Sequence, residues 1–131
     1  MRPVSRGIAD SSLFIERESG RPLRIEDLPD QLAISVVTIG ELRAAVLDAS
    51  DVASRDRRLA TLAAALDVEP LPVDGAVATA WARLRAQLHE CGLSMPVNDS
   101  WIAATALALG VAVVTQDGDF DGVPGLDVIR V

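Results

Sequence analysis

The sequence predicts an α/β fold of three layers, an α/β/α sandwich in which helices cover both faces of a central, mainly parallel sheet of about five strands. Half of the 131 residues are hydrophobic, which is enough to build a core without disulfide or metal cross-links. The segments of strand length are continuously apolar instead of alternating, as in sheets buried on both faces. Segments with helical spacing separate most of these strands, as in parallel α/β proteins.

The first half of the chain predicts two strands. The apolar stretch 7–9 is the first, and it ends at Asp10. "LFIERE" begins a helix that Gly20 and Pro22 interrupt. "RIEDLPD" is compatible with one helical turn. "LAISVVT" at 32–38 is rich in β-branched residues and predicts the second strand, after which "TIGELRAAVLDA" changes to helical spacing.

The second half predicts three helices and three strands. "SRDRRLATLAAAL" has a leucine stripe typical of an amphipathic helix. "VEPLPV" reads as a short strand, and its two prolines favour the edge of the sheet. Helices follow at 74–90, ended by Gly92, and at 98–109, closed by Gly110. "VAVVT" and "LDVIRV" are the last two strands. We expect one domain over residues 1–131.

Composition excludes several kinds of site. The chain has no lysine, so a mechanism that needs an amine is excluded, and a receiver-type signalling domain with its late lysine is disfavoured. Cys91 and His89 are each the only residue of their type, which rules out an internal disulfide and argues against structural zinc. No segment approaches the ~20 apolar residues of a membrane span. We therefore expect a soluble, cytoplasmic protein without membrane association.

Acidic residues gather where the predicted strands end. Asp10 follows the first strand, Glu41 lies three residues after the second, and Asp117 and Asp119 follow "VAVVT". Asp99 opens the helix before that strand. Ligands of such sheets bind beyond the carboxyl ends of the strands. The net charge of −7 does not exclude a carboxylate cluster neutralised by cations.

Each acid also has an ordinary structural interpretation. Asp10 is suited to cap the first helix, and Glu41 could form a capping box with Thr38. Asn98 or Asp99 is a suitable N-cap, and Asp117 followed by glycine is a good turn dipeptide. If all of these interpretations hold, the acids from four separate segments lie on one side of the sheet by coincidence.

If the acids converge instead, they need counter-ions. Two carboxylates about 5 Å apart repel by about 3 kcal/mol at an effective dielectric constant near 20. Ligation by oxygen alone selects Mg²⁺ or Mn²⁺, and two such ions roughly 4 Å apart make a site that cleaves phosphodiesters.

Four motifs carry a family resemblance. "ADSSLFI", "VVTIGELR", "NDSWIAATA" and "VVTQDGDF", in this order and spacing, resemble the PIN-domain ribonucleases, with the strongest likeness to the VapC toxins of bacterial toxin–antitoxin pairs. The likeness runs from about Gly7 to the last residue. It implies a PIN-like fold in which the first and fourth strands are neighbours, and a Mg²⁺- or Mn²⁺-dependent endoribonuclease whose product carries a 5′-phosphate.

The resemblance also implies the site. The family's acids correspond to catalytic and metal-binding residues Asp10, Glu41, Asp99 and Asp117, with Asp119 as a further metal ligand; the supporting polar positions correspond to Ser11, Asn98 and Thr115. Ser11 stands where the family usually has threonine, which keeps the hydroxyl. All four principal acids are present, so the resemblance implies an active nuclease.

Partners follow from the same resemblance. We expect an RNA substrate, a small VapB-like antitoxin that covers the acidic cleft, and a homodimer. Arginines are the expected RNA contacts, because guanidinium binds phosphate bidentately. The candidates are Arg17, Arg21 and Arg43, and Arg24 belongs to the same group as Arg17 and Arg21. Three aromatic residues, Phe14, Trp101 and Phe120, suit base stacking but are more typical of core.

Two other functions stay open from the sequence. One is an RNA-processing nuclease of the PIN fold outside a toxin–antitoxin pair. The other is a catalytically silent module that only binds metal or a partner.

Overall fold

The computed structural model describes residues 3–18, 20 and 22–131, without the side chains of residues 16–18. Within this part of the chain, four strands form one sheet in the order β2-β1-β3-β4, and every neighbouring pair is parallel. The strands are β1 (Arg6–Ala9), β2 (Gln31–Ile34), β3 (Ala112–Thr115) and β4 (Val128–Arg130). The predicted parallel α/β architecture is confirmed, with four strands in place of about five.

In the described part of the chain, five helices connect and cover the strands. They are α1 (Ser12–Glu18), α2 (Val36–Leu47), α3 (Val52–Ala65), α4 (Gly75–Glu90) and α5 (Val97–Leu109), with a 3₁₀ turn at Ile25–Asp27. Gly110 ends α5 in the left-handed conformation, with φ of 67°. That conformation costs a residue with a Cβ atom, which is why glycine commonly stands at this position. None of the described helices is both long and apolar enough to cross a lipid bilayer.

Two predicted strands are wrong in extent. β2 stops at Ile34, and Val36 to Thr38 form the first turn of α2. The Ser35 side chain accepts a hydrogen bond from the Val37 N–H, and this cap starts the helix despite the β-branched run. "VEPLPV" contributes only a single parallel bridge between Leu71 and Ser35, because the prolines on either side of Leu71 have no N–H to donate.

The core has apolar layers on both faces of the sheet. Ile8 and Val113 face the layer formed with α4 and α5, where Leu84 and Ile102 are fully buried. The next residue of each strand, Ala9 and Val114, points to the opposite layer beside α1. A third cluster, with Leu42 and Leu62, joins α2 to α3. Successive strand residues point to opposite faces, so these two strands must be apolar throughout.

The close approach of β1 to β3 depends on Gly7. A Cβ atom at this position would lie 2.5 Å from Val114 Cγ2 and 3.3 Å from the Ala112 carbonyl oxygen. Only a residue without a side chain fits there. The two central strands therefore align, and the residues that follow them meet at one edge of the sheet.

Candidate active site

The candidate site lies at the carboxyl ends of β1 and β3. The register pairs Ala9 with Val114, so the next residues, Asp10 and Thr115, lie side by side. The Asp10 N–H donates to the Val114 carbonyl at 3.1 Å and extends the ladder by one bond. Asp10 is 2% exposed and Thr115 is fully buried. The sheet thus carries a carboxylate into the interior at its central position.

Hydrogen bonds hold the buried Asp10 carboxylate. Thr115 Oγ1 donates to Asp10 Oδ2 at 2.8 Å. Both the N–H and the hydroxyl of Ser12 donate to Asp10 Oδ1. Burial raises the pKa of Asp10, and the nearby Asp117 carboxylate raises it further, whereas the Ser12 and Thr115 hydrogen bonds oppose the rise. The expectation that Asp10 caps the first helix also holds, since it accepts from the N–H of α1's first residue.

Ser12 is a site residue that sequence reasoning missed. Its hydroxyl contacts Asp10 and Thr115 Oγ1, and accepts a hydrogen bond from the Gln116 N–H at 3.0 Å. The family resemblance assigns the hydroxyl beside Asp10 to the preceding serine, Ser11. The Ser11 side chain instead interacts with Glu41. Two adjacent serines after Asp10 were the feature of the sequence that could have indicated this arrangement. Ser12 contacts Asp10, and Ser11 interacts with Glu41.

Glu41 reaches the site from α2. It lies in the second turn of a helix whose N-cap is Ser35, so the capping box with Thr38 is wrong. Burial and the charge of Asp10 raise the pKa of Glu41, while hydrogen bonds from Ser11 and Asn98 lower it. Its Oε1 atom is buried and has no hydrogen-bond partner in the structure. Glu41 is therefore a half-buried acid, and one of its two carboxylate oxygens, Oε1, makes no hydrogen bond to protein.

Asp99 reaches the site from the first turn of α5. The N-cap of this helix is Pro96, which makes no side-chain cap, so neither Asn98 nor Asp99 is the N-cap. Burial and then the charges of Asp119, Glu41, Asp10 and Asp117 raise the pKa of Asp99 to about 7. The other four predicted acids therefore all lie within electrostatic range of Asp99.

The loop after β3 supplies the last two acids. The Asp117 N–H donates to Thr115 Oγ1 at 3.0 Å, which ties the start of the loop to the Asp10 network. Asp119 is exposed. Among the described residues, no three His, Cys, Asp or Glu side chains are grouped tightly enough to hold a metal ion as they stand.

A tryptophan pair packs beside the N-terminal turn of α5. Trp81 of α4 stacks on Trp101, with ring centroids 4.2 Å apart, and its Nε1 donates to Ser100 Oγ at 2.9 Å. The Ser100 hydroxyl donates in turn to the Val97 carbonyl. Arg85 lies 5.0 Å from the centroid of the Trp81 ring. These contacts hold the turn that carries Asp99.

The aromatic residues proposed for base stacking belong mainly to the interior. Phe120 is fully buried, and Phe14 packs partly buried between two core clusters. Trp101 is half-buried against Trp81. The structural interpretation of these three residues is therefore favoured over an RNA contact.

The candidate RNA-binding arginines are only partly placed. Arg43 is exposed on α2, two residues from Glu41 and hence on a different side of the helix. Arg24 donates to the Arg130 carbonyl at 2.8 Å and pairs with Asp27. Arg17 and Arg21 lie outside the residues whose side chains the structure describes. An RNA-binding role for Arg17, Arg21 and Arg43 stays a prediction.

The chain is similar to proteins of a known family over most of its length. The model of the PIN domain matches residues 8–126. Ribonuclease VapC5 of Mycobacterium tuberculosis is 48% identical over 128 residues, covering 95% of each chain. Ribonuclease VapC4 of the same organism is 46% identical over 133 residues, covering 98% of each.

A solved structure agrees with these similarities. The crystal structure of VapBC-5, a member of the VapBC family of toxin–antitoxin systems from Mycobacterium tuberculosis, matches with a TM-score of 0.89 and 44% identity. The match covers 97% of this chain and 99% of that one. The likeness thus extends over nearly all of both folds.

Proposed function

The chain belongs to the PIN-domain family, and on that premise we propose that it is a divalent-metal-dependent endoribonuclease that acts as the toxin of a toxin–antitoxin pair. Residues 1–131 would act as a single nuclease domain. The observation that carries the proposal is a carboxylate, Asp10, held buried by Thr115 at the carboxyl ends of the two central strands, with further acids reaching the same place from α2, α5 and the loop after β3. The names and sequence identity of the VapC relatives support ribonuclease activity.

The donor set fits a hard divalent cation. Asp10, Asp99 and Asp117 offer carboxylate oxygens from β1, α5 and the loop after β3. Glu41 adds a buried oxygen without a partner. Oxygen ligands of this kind suit Mg²⁺ or Mn²⁺, and a cation would offset the burial and the repulsion that together raise the pKa of Asp99. We propose Asp10, Asp99 and Asp117 as direct ligands, Glu41 as ligand or water-positioning group, and Asp119 as an additional ligand.

The supporting polar residues fix these acids. Ser12 and Thr115 orient Asp10 through hydrogen bonds to both of its oxygens. Ser11 and Asn98 interact with Glu41 and favour its charged form. Catalytic carboxylates need such neighbours, because small errors in their position cost large factors in rate.

The proposed reaction is hydrolysis of an RNA phosphodiester. A bound divalent cation lowers the pKa of water and neutralises charge on the phosphate oxygens. Glu41 orients the attacking water and accepts its proton. The new bond joins the water oxygen to phosphorus, the bond to the 3′ oxygen breaks in line, and the 3′ oxygen takes a proton from solvent. The products are a 5′-phosphate and a 3′-hydroxyl.

A protein partner is part of the proposal. VapBC-5 is a member of the VapBC family of toxin–antitoxin systems, which supports a VapB-like antitoxin as the partner of this chain. A homodimer is supported by apolar side chains on the surface: Leu47 and Val52, on the two sides of the turn between α2 and α3, are each 80% exposed. A second copy would cover such groups.

Cleavage of total RNA by the purified protein tests this function. We expect fragments with 5′-phosphate ends in Mg²⁺ or Mn²⁺, none in chelator, and none with Asp99→Asn. Asp51→Asn, which removes a carboxylate charge at the N-cap of α3, away from the site, is the control and should cut. Equal cleavage by Asp99→Asn, or in chelator, would disprove the mechanism. Arrest of growth on expression, relieved by a neighbouring small antitoxin gene, separates a toxin from an RNA-processing nuclease.

A further inference from the structure

Thr38 carries a buried hydroxyl that no protein group satisfies. The residue is fully buried in the first turn of α2, and its Oγ1 has no hydrogen-bond partner in the structure. A buried hydroxyl without a partner is costly and uncommon in native proteins. The function described above gives this atom no role.

The other helical threonines behave differently. Thr61, Thr79 and Thr105 each donate to the carbonyl four residues earlier, at 3.1, 3.0 and 2.8 Å. This is the usual way for a threonine hydroxyl to be satisfied inside a helix. Thr105 is 1% exposed, so burial alone does not prevent the bond. Thr38 is thus an exception among the threonines of the described helices.

The reason lies in the chain before α2. The carbonyl four residues before Thr38 is that of Ile34, at the end of β2, and it already accepts the Leu71 N–H at 2.8 Å. The carbonyl three residues before is that of Ser35, which accepts the Ile39 N–H at 3.3 Å. Ile34 belongs to β2 and α2 begins only at Val36, so Thr38 has no helical carbonyl four residues before it, unlike the other three threonines.

Glu41 carries the other unsatisfied buried oxygen of α2. Residues three apart share one face of a helix, so Thr38 is a neighbour of Glu41. Helical side chains lean toward the N-terminus, which carries the Glu41 carboxylate over the turn that holds Thr38. Glu41 Oε1 is itself buried and without a partner. One face of α2 therefore carries two buried oxygens without a protein partner, one of a hydroxyl and one of a carboxylate.

We propose that Thr38 is a positioning residue of the cation site, whose hydroxyl holds, together with Glu41, a water molecule of the cation's hydration shell. The inference rests on the proposed metal-dependent function. Mg²⁺ usually keeps several of its waters when bound to protein, and these waters need fixed partners. Groups in this outer position typically change metal affinity by roughly 10- to 100-fold when removed.

Mn²⁺ binding to the full chain, measured by titration calorimetry at pH 8, tests the inference. Thr38→Val removes the hydroxyl and keeps the shape, and Thr38→Ser keeps the hydroxyl. Thr105→Val is the matched control, because it removes a buried hydroxyl whose bond is already made within its helix. We expect Thr38→Val to weaken Mn²⁺ binding about 10-fold, Thr38→Ser to bind within about twofold of the unchanged protein, and Thr105→Val to bind normally.

Stability in chelator provides a second readout that does not depend on metal. Because the Thr38 hydroxyl has no protein partner, Thr38→Val should unfold at an equal or higher urea concentration than the unchanged chain, whereas Thr105→Val should unfold at a lower one. Unaltered Mn²⁺ affinity in Thr38→Val, when the unchanged protein binds Mn²⁺, overturns this inference alone. Failure of the unchanged protein to bind Mn²⁺ overturns the proposed function and the inference with it.

Discussion

Thr115 and Asp10 are 105 residues apart in sequence, yet the Thr115 hydroxyl donates to the Asp10 carboxylate at 2.8 Å. The bond crosses from β3 to β1, the two central strands of the sheet. The same hydroxyl accepts the Asp117 N–H, so one side chain links two of the acids. The geometry of the site is therefore inseparable from the pairing of the central strands.

Ser12→Ala should reduce RNA cleavage by about 10- to 100-fold, as expected when a group that orients a ligand is lost. The change removes a hydrogen bond to Asp10 and leaves the Gln116 N–H without its partner, which should also cost about 1–3 kcal/mol of stability. Initial rates and urea unfolding check both effects. Ser5→Ala is the control: it removes a side-chain acceptor for the Asp30 N–H near the opposite end of β1 and should cleave normally. Normal cleavage by Ser12→Ala would contradict its orienting role.

The metal-free protein should lose stability as pH rises from about 4 to about 7. Asp10, Glu41 and Asp99 have pKa values raised by burial, that of Asp99 from 3.8 to about 7. The folded chain therefore holds protons that the unfolded chain has released. Their stabilising effect is complete below the unfolded pKa values and is lost as pH passes through the folded ones.

Thermal unfolding in chelator between pH 5 and pH 8 measures this loss. Asp99→Asn should flatten the decline, since the amide cannot titrate. Asp51→Asn should keep the wild-type slope, because hydrogen bonds from Ser54 lower the pKa of Asp51, whose contribution is therefore constant above pH 5. An undiminished slope in Asp99→Asn would show that this carboxyl is not the group responsible.

Trp81→Phe should cost about 0.5–1.5 kcal/mol through loss of the hydrogen bond to Ser100, because phenylalanine keeps an aromatic ring but has no N–H. A double-mutant cycle with Ser100→Ala isolates that bond, and we expect a coupling of similar size. The cycle of Trp101→Phe with Ser100→Ala is the comparison and should give a smaller value. Equal couplings in the two cycles would mean that stacking, and not the hydrogen bond, holds α5 here.

Gly7→Ala should destabilise the protein by about 1–3 kcal/mol, because the new methyl group would press against Val114 and the Ala112 carbonyl. Gly40→Ala is the matched control. Gly40 lies inside α2, where an added methyl group would meet no neighbouring atom within 4 Å, and the change should stabilise by about 0.5–1 kcal/mol. Urea denaturation of both variants checks the opposite signs. A neutral Gly7→Ala would show that the strands can separate at little cost.

The positions of the acids follow from simple reasoning on the sequence. Carboxyl ends of parallel strands share one edge of the sheet, so acids directly after strands meet there. This rule predicts that Asp10, Asp117 and Asp119 share one edge of the sheet, whereas a common site with Asp99 and Glu41 was implied by the family resemblance. It did not distinguish Ser11 from Ser12, because the backbone turn after β1 decides which of two adjacent hydroxyls reaches Asp10.

The start of α2 could not be predicted from propensity. Val36 and Val37 favour an extended chain, yet both lie in the helix, since the Ser35 cap and packing against the core outweigh a preference worth less than about 1 kcal/mol per residue. The orphaned hydroxyl of Thr38 is equally invisible in the sequence. It depends on where β2 ends and α2 begins, because this leaves Thr38 without a helical carbonyl four residues before it.

The order of the strands has a consequence for synthesis of the protein. β1 emerges first from the ribosome, but its inner neighbour β3 is translated only after all five helices. A nascent chain consequently lacks Thr115 and Asp117 and has no assembled centre while most of it is already exposed to the translation machinery. A polypeptide that cuts RNA would thus stay harmless to the ribosome and message producing it until its last strands are released.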